Sequence, residues 1–490
     1  LTRYRQWQIA GSLGGIFYST VTPWQSSGGV QVMLGNYQHN SDIQYMGQVA
    51  PVQLPAELDG YNIRRGFWET SDLMYRFSLQ VMARKIAHLK SNPLPPAEAA
   101  VPDMQQLPAV TKMVERPRPF EVDLAVLEGM VKELSVLFKD YKELFNSNVM
   151  LVAVEQDNYR LTSENVRLKF PLGLVGLTVS ASVRTTDGST VSDVLAISSL
   201  DNPADLPSIE ELKKKVKDFA DNLMELKETP MIEEYYTGPV LFEGGAASRL
   251  FTDNLLSPGR LLALRTMAPA RGMLDEQLGR RIIDSRLTVK NYTTLAEYNG
   301  TPLFGCYEID GDGVVPAAEL TLVENGVFKR MLNGRVPTLK APESTGSARF
   351  MISPDTPMAI VSPGTIHVQA SKGVGPEKLK KALLKAAKEA DLEYAYIVRR
   401  IGGEASAVYK VNVKDGKEIR VRVNNLSAPE LTKLMDLKGI SSDERVMNYF
   451  PNGVPASLIY PSAIIVGDVE INRTTPKIEE EPVLKHPLQR

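Results

Sequence analysis

An α+β fold is what the sequence predicts, from three observations. Helical periodicity runs long at about residues 64–90, 121–147 and 207–227, while the segments between carry several short strand-like runs each, so strand–helix–strand units are few. Asp187 with Gly188, and Asp415 with Gly416, fall between neighbouring apolar runs, which is hairpin chemistry and implies antiparallel pairing. Beyond about residue 260 long helices give way to many short strands. A chain of 490 residues that is 43% hydrophobic can bury more than one core. The expected division is an N-terminal α+β domain over 1–229, a β-rich C-terminal domain over 230–473 and a polar tail over 474–490.

Taken in order, residues 4–50 alternate apolar and polar side chains around a turn-rich 25–29, which predicts strands whose buried face carries Trp7, Phe17, Tyr18 and Trp24. Residues 64–90 place Phe67, Leu73, Phe77, Leu79, Val81, Met82 and Ile86 on one broad side of a helix, with His88 near its end. The Pro- and Ala-rich residues 91–108 lack a period and read as an extended connector. A helix at about 121–147 repeats Leu124, Leu127, Met130, Val131, Leu134, Leu137, Tyr141 and Leu144 every three or four residues. Runs at 149–154, 159–162, 166–169, 177–184 and 194–198 predict antiparallel strands, with turns at Asp157 and Asn158 and at Asp187 and Gly188. The lysine run at 213–217 in the next helix is flanked by Glu and Asp and reads as a solvated face.

Further on, apolar runs at 280–283 and 287–289 predict strands, and 308–313 predicts a hairpin turn between strands at 303–307 and 320–324. Asp310 and Asp312 in that turn do not make a calcium loop, because the twelve-residue ligand set with its terminal Glu is missing. Cys306 is the single cysteine; it excludes an intramolecular disulfide and reads as a small buried residue. His367 has no partner at ligand spacing and reads as structural. A helix at about 375–390, strands at 394–400, 407–413 and 418–423, and a buried strand at 463–466 complete the chain.

The stretch 236–260 organises the C-terminal half. Val240, Leu241 and Phe242 form an apolar strand, Gly244 and Gly245 turn the chain, and Ala246, Ala247, Leu250, Phe251 and Leu255 recur at helical spacing until Pro258 and Gly259 stop the helix. This stretch resembles the TldD/PmbA family, metallopeptidase-related proteins also labelled modulators of DNA gyrase. Residues 279–289, 305–316, 323–334, 344–349 and 456–471 resemble the family's successive C-terminal blocks in the same order. The resemblance implies the same α+β first domain and β-rich second domain.

Active members of that family carry His-Glu-x-x-x-His on the helix after the alanine pair, with the histidines holding zinc and the glutamate taking a proton from the metal-bound water. Alignment through Ala246, Ala247 and Phe251 places Thr252 and Asp253 at the His-Glu pair and Ser257 at the second His. The family's further ligand, a cysteine near the C-terminus, has no counterpart, since no Cys occurs in 439–490. Hydroxyls are poor zinc ligands, so neither zinc nor another cofactor is expected.

Two readings follow from the resemblance. One is a non-catalytic member that binds extended or unfolded peptide, as a homodimer or as a heteromer with a catalytic TldD-type subunit. The other is an active peptidase with a rearranged carboxylate-based or metal site, using Asp253, Glu243 or Glu308 as base. Ser344, Gly346 and Arg349 are the candidates for a peptide groove: small residues admit a backbone closely and Arg349 suits a carboxylate. Lys+Arg 56 against Asp+Glu 58 leaves a net charge of −2, which excludes a nucleic-acid footprint and lends no support to a gyrase role. No run of 18 apolar residues exists, so no membrane span is expected. The chain starts at Leu1 rather than Met, and an extracytoplasmic or periplasmic location is the expectation, with cytoplasmic as the alternative.

Overall fold

The structure is a computed structural model and describes residues 1–42, 48–52, 54, 59–266, 273–353, 358–402, 405–423 and 426–472. The predicted tail at 474–490 lies outside the described residues.

The first strands, β1 (Thr2–Ser12) and β2 (Gly15–Val30), form a hairpin closed by Leu13 and Gly14, both at positive φ (51° and 82°). Residues 25–29 are therefore not the turn. They continue β2, and Gly28 and Gly29 pair with β3 (Ala50–Val52). Trp7 is buried as expected, but Phe17, Tyr18 and Trp24 are exposed, because β2 lies near the sheet edge and the covering helix sits mainly over β1. Trp24 is covered instead by the Arg3 and Arg5 guanidinium groups, 5.3 and 5.1 Å from its ring centroid.

Helix α1 (Gly60–Ser91) starts at Asp59, whose carboxylate accepts from the Tyr61 and Asn62 N–H groups. It buries Met74, Ser78, Val81 and Lys85, so the expected apolar side is misassigned: Leu73, Phe77, Leu79 and Ile86 face solvent. The connector contains one short helix, α2 (Pro96–Ala99), and leads to β4 (Val110–Met113). α3 (Leu124–Val136) and a 3-10 turn (Leu137–Asp140) end the second helix early. Leu144 instead opens β5 (Leu144–Leu161), whose long ladders with β1 and β6 (Val166–Arg184) override helical propensity. Asp157 and Asn158 lie inside that ladder, opposite Pro171 and Phe170, rather than in a turn. β7 (Thr190–Leu200) and α4 (Ile209–Glu228), with a Ser208–Glu211 capping box, complete the half. The sheet order is β3-β2-β1-β5-β6-β4, with β7 on β6. Leu127, Val131 and Leu134 of α3 and Leu212, Val216 and Leu223 of α4 share its core with Ile9, Leu151 and Leu177.

The C-terminal half begins with β8 (Tyr236–Glu243), α5 (Gly245–Leu255) and β9 (Leu287–Tyr292). β10 (Glu297–Tyr298) and β11 (Thr301–Pro302) pair with each other, β12 (Glu319–Glu324) and β13 (Val327–Phe328) follow, and β14 (Ala348–Phe350) pairs with β15 (Ala359–Val361). Then come β16 (Thr365–Ala370), α6 (Pro376–Glu389), β17 (Tyr394–Arg400), β18 (Ala407–Asn412) and β19 (Glu418–Val421). β20 (Leu437–Ile440), β21 (Glu444–Tyr449), β22 (Ala456–Pro461) and β23 (Ala463–Ile471) close the fold. Two six-stranded sheets result, β13-β12-β9-β16-β22-β21 and β19-β18-β17-β8-β23-β20, and the chain crosses between them at Ser462. Open sheets with segregated helices make the fold α+β.

Three local expectations fail in this half. Residues 280–283 form no strand beyond an isolated Arg281–Val327 bridge. No strand forms at 303–307, and 308–313 is a loop rather than a hairpin turn, because Asp310 folds it inward: its carboxylate accepts from the Asp312, Val314 and Ala348 N–H groups at 2.9, 2.8 and 3.0 Å. Cys306 is exposed, not buried.

Candidate functional site

β8 runs through the middle of its sheet, parallel to β17 and antiparallel to β23, and delivers the chain to Gly244. There φ is 55° and ψ −127°, and a Cβ would meet Arg445 Nη1 at 3.1 Å, so glycine alone makes this turn without strain. The Gly244 N–H donates to the Ser462 carbonyl at 2.8 Å, and α5 begins at once. Ala246 and Ala247 are fully buried, which lets the helix lie close against the strands. Leu250, Phe251 and Leu255 join one core with Val240, Phe242, Leu322, Phe328, Leu458 and Ile464, drawn from both six-stranded sheets. At the helix end, Asn254 Nδ2 donates to the Leu250 carbonyl (2.9 Å) and to the Pro429 carbonyl (2.8 Å).

Thr252 is half-buried, Asp253 exposed, and Ser257 half-buried just beyond the helix. The Thr252 hydroxyl donates to Asp253 Oδ1 at 3.1 Å, and Arg249 Nε lies 2.9 Å from Asp253 Oδ2. Both oxygens of the carboxylate are thus engaged within its own helix. Among the described residues no three His, Cys, Asp or Glu side chains come together to hold a metal ion. A hydroxyl, an occupied carboxylate and a second hydroxyl do not fit zinc. The other carboxylates offered as bases are also ion-paired: Glu243 with Arg399 at 3.0 Å and Glu308 with Lys112 at 2.6 Å.

The groove candidates separate. Ser344 lines an open cavity of about 460 Å³ together with Asn291, Leu320, Met331, Ala341 and Thr345, with Lys329, Arg330 and Lys340 among its remaining lining residues. Gly346 sits behind it at φ 71°, where a Cβ would meet Pro316 Cα at 2.9 Å. Arg349 is buried, contrary to its expected place on a groove wall. Its Nη1 donates to the carbonyls of Pro363 (2.7 Å) and Pro455, and its guanidinium carbon lies 4.3 Å from the Tyr307 ring centroid. Backbone oxygens and an aromatic face take the place of a carboxylate. Thr252, Asp253 and Ser257 do not line the cavity.

His367 has a partner that sequence spacing could not supply. Its Nε2 lies 3.0 Å from Glu444 Oε1, and Gln369 Nε2 lies 3.3 Å from its Nδ1. The Tyr298 hydroxyl also donates to Glu444. Burial pushes the Glu444 carboxyl up, but the His367 and Tyr298 contacts outweigh it and hold the group below its ordinary range. Both imidazole nitrogens have protein partners. The basic residues around the cavity, and Glu444 and Tyr298 beside His367, carry no motif and escaped the sequence.

Comparison with known proteins agrees with this architecture. Residues 236–472 match the family described as PmbA/TldA metallopeptidase C-terminal domain. Among solved structures, TldE from Thermococcus kodakarensis is similar at 14% identity and a TM-score of 0.57, over 96% of this chain and 95% of that one. A candidate modulator of a DNA gyrase from Thermotoga maritima is similar at 13% identity and a TM-score of 0.54, over 96% and 94%. A candidate modulator of DNA gyrase from Bacteroides thetaiotaomicron follows at 12% identity and 0.51, over 95% and 93%. No curated protein matches the chain in sequence. The structural likenesses carry the fold and the sequence of residues 236–472 carries the kinship: the chain belongs to the peptidase-related TldD/PmbA family.

Proposed function

We infer that this chain is a non-catalytic TldD/PmbA member that holds extended peptide or serves as a partner subunit. The observation that carries this reading is the closed Arg249–Asp253–Thr252 contact on α5, which leaves the motif position without a free carboxylate and without imidazole. The cavity beside Ser344 is the candidate peptide site, since its size suits a few side chains. A homodimer or a heteromer with a TldD-type subunit both fit this reading.

The test combines metal analysis by mass spectrometry with peptide binding on the purified protein. The expected result is zinc well below one equivalent, no cleavage of unstructured peptides, and retention of those peptides, weakened by Ser344→Trp. Stoichiometric zinc, or hydrolysis abolished by Asp253→Asn, overturns the reading in favour of an active peptidase.

A further inference from the structure

The cavity beside Ser344 is assembled from separate segments of the C-terminal half, and one residue between them ties its walls together. Asn333, 2% exposed, donates from its N–H to Thr345 Oγ1 at 2.7 Å and from Nδ2 to the Ala341 carbonyl at 2.9 Å, and its own carbonyl accepts from the Thr345 N–H at 3.1 Å. The Lys329 and Arg330 N–H groups both donate to the Leu322 carbonyl of β12, at 2.8 and 3.2 Å, so the backbone that carries these two cations is fastened to a strand. Met331 and Ala341 are buried and Leu320 is half-buried, which gives the cavity an apolar floor. At its mouth Val315 stays 72% exposed, a large apolar side chain that a ligand would remove from water.

The charges at the mouth select the ligand. Lys329 Nζ lies 3.3 Å from Glu324 and is already compensated. Arg330, Lys340 and Glu343 also line the cavity; all three are exposed, and none forms an ion pair among the described residues. Two cations therefore stand against one carboxylate, and that small positive excess fits a single carboxylate rather than a polyanion. The planar guanidinium suits two-point contact with it, and the ammonium adds a second charge from another loop. An apolar floor beside that charge asks for a ligand with an apolar group and a carboxylate close together. The last residue of a peptide carries both on its Cα, whereas an internal Asp or Glu brings its charge at the tip of a short stem and leaves the floor uncovered. A volume of about 460 Å³ holds such a terminus and no folded domain.

We propose that this cavity captures the free C-terminus of a peptide, with the α-carboxylate on Arg330 and Lys340 and an apolar last side chain on the floor of Leu320, Met331 and Ala341. This rests on the reading of the cavity as the peptide site. The test is fluorescence anisotropy on the full chain, with unstructured peptides that are labelled at the N-terminus and end in leucine. The free acid is expected to bind about tenfold more tightly than the C-terminal amide, with the gap narrowing as salt rises. The gap should close in Arg330→Gln with Lys340→Gln, two exposed positions whose change is expected to leave the unfolding temperature in place. A peptide amide ending in aspartate is expected to bind no better than the leucine amide. Equal binding of acid and amide, a gap that survives the double substitution, or an aspartate amide that matches the leucine acid each overturns the proposal. If Ser344→Trp still weakens every peptide in those cases, the peptide site itself stands; failure of all peptides to bind overturns both.

Discussion

α5 and α1 are both amphipathic in sequence and end in opposite surroundings. α5 is 11 residues long and buries Ala246, Ala247, Ser248, Leu250, Phe251, Asn254 and Leu255, because it meets strands of both C-terminal sheets. α1 is 32 residues long and buries four, because among the described residues it meets the β2–β3 edge and the segments that carry Val32, Asp42 and Asp103 on one side only. The contrast teaches that the number of layers reaching a helix, not its own pattern, decides how much of that pattern becomes core. Around α5 two sheets close over most of the helix; along α1 several large side chains stay exposed among the described residues.

The sharpest way to break this contrast is Phe251→Ala. Phe251 is 1% exposed, and its truncation should cost about 3–5 kcal/mol by denaturant unfolding, whereas Leu73→Ala on α1 should stay within about 0.5 kcal/mol. Equal losses would end the distinction. Next in size is Lys85→Met, because α1 is held partly by charge: Lys85 Nζ lies 2.7 Å from Asp103 and 2.8 Å from the Asp42 carbonyl, all buried. Loss of the ammonium takes its closest counter-charge from the buried Asp103 carboxylate, which keeps the Asn40 N–H at 2.7 Å and Arg265 at 3.5 Å, and should cost about 2–4 kcal/mol, seen as early proteolysis around α1 before the C-terminal half is cut.

A smaller effect concerns the seam between the halves, where Arg422 pairs with Asp187, donates from Nη1 to Ser189 Oγ at 3.0 Å and from Nε to the Thr229 carbonyl at 2.8 Å. Partial burial pushes the Asp187 carboxyl up, but hydrogen bonds from Ser189 and Thr185 and the Arg422 charge outweigh it and bring the group from 3.8 down to about 2. A lowered folded value means stability that is present above the ordinary value and lost as pH falls through about 2. Because the Asp187 side chain is still 26% exposed and partly screened, about 1–2 kcal/mol is expected, read as a stability profile between about pH 5 and pH 2 that is flatter in Asp187→Asn. The smallest effect should come from Asp253→Asn, which removes one exposed pair on α5 worth about 0.3–0.5 kcal/mol; a loss of several kcal/mol on thermal unfolding would show that Asp253 does more than pair with Arg249.

Much of the fold was legible because local signals were strong. The helical period at 207–227 was met by α4, and the Gly244 turn stood between an apolar strand and an alanine-led helix. The errors share one cause. Leu144 follows a helical repeat yet joins a ladder with β6, and Asp157 and Asn158 have turn chemistry yet lie mid-strand, because long-range pairing outweighs local preference. Of the candidate site, Thr252, Asp253 and Ser257 were placed on or just past a helix by sequence, but the Arg249 and Arg349 contacts required coordinates.

Taken alone, the sequence determined the α+β class and the strand–glycine–helix unit at 236–260, since each rests on neighbours within a few positions. Only the tertiary structure decided that Arg349 is internal, that Ser344 faces a cavity and that Tyr61, Trp68, Leu79 and Ile86 of α1 stay exposed. Those outcomes depend on which layers meet, and a meeting between residues a hundred or more positions apart leaves no periodic trace in either of them.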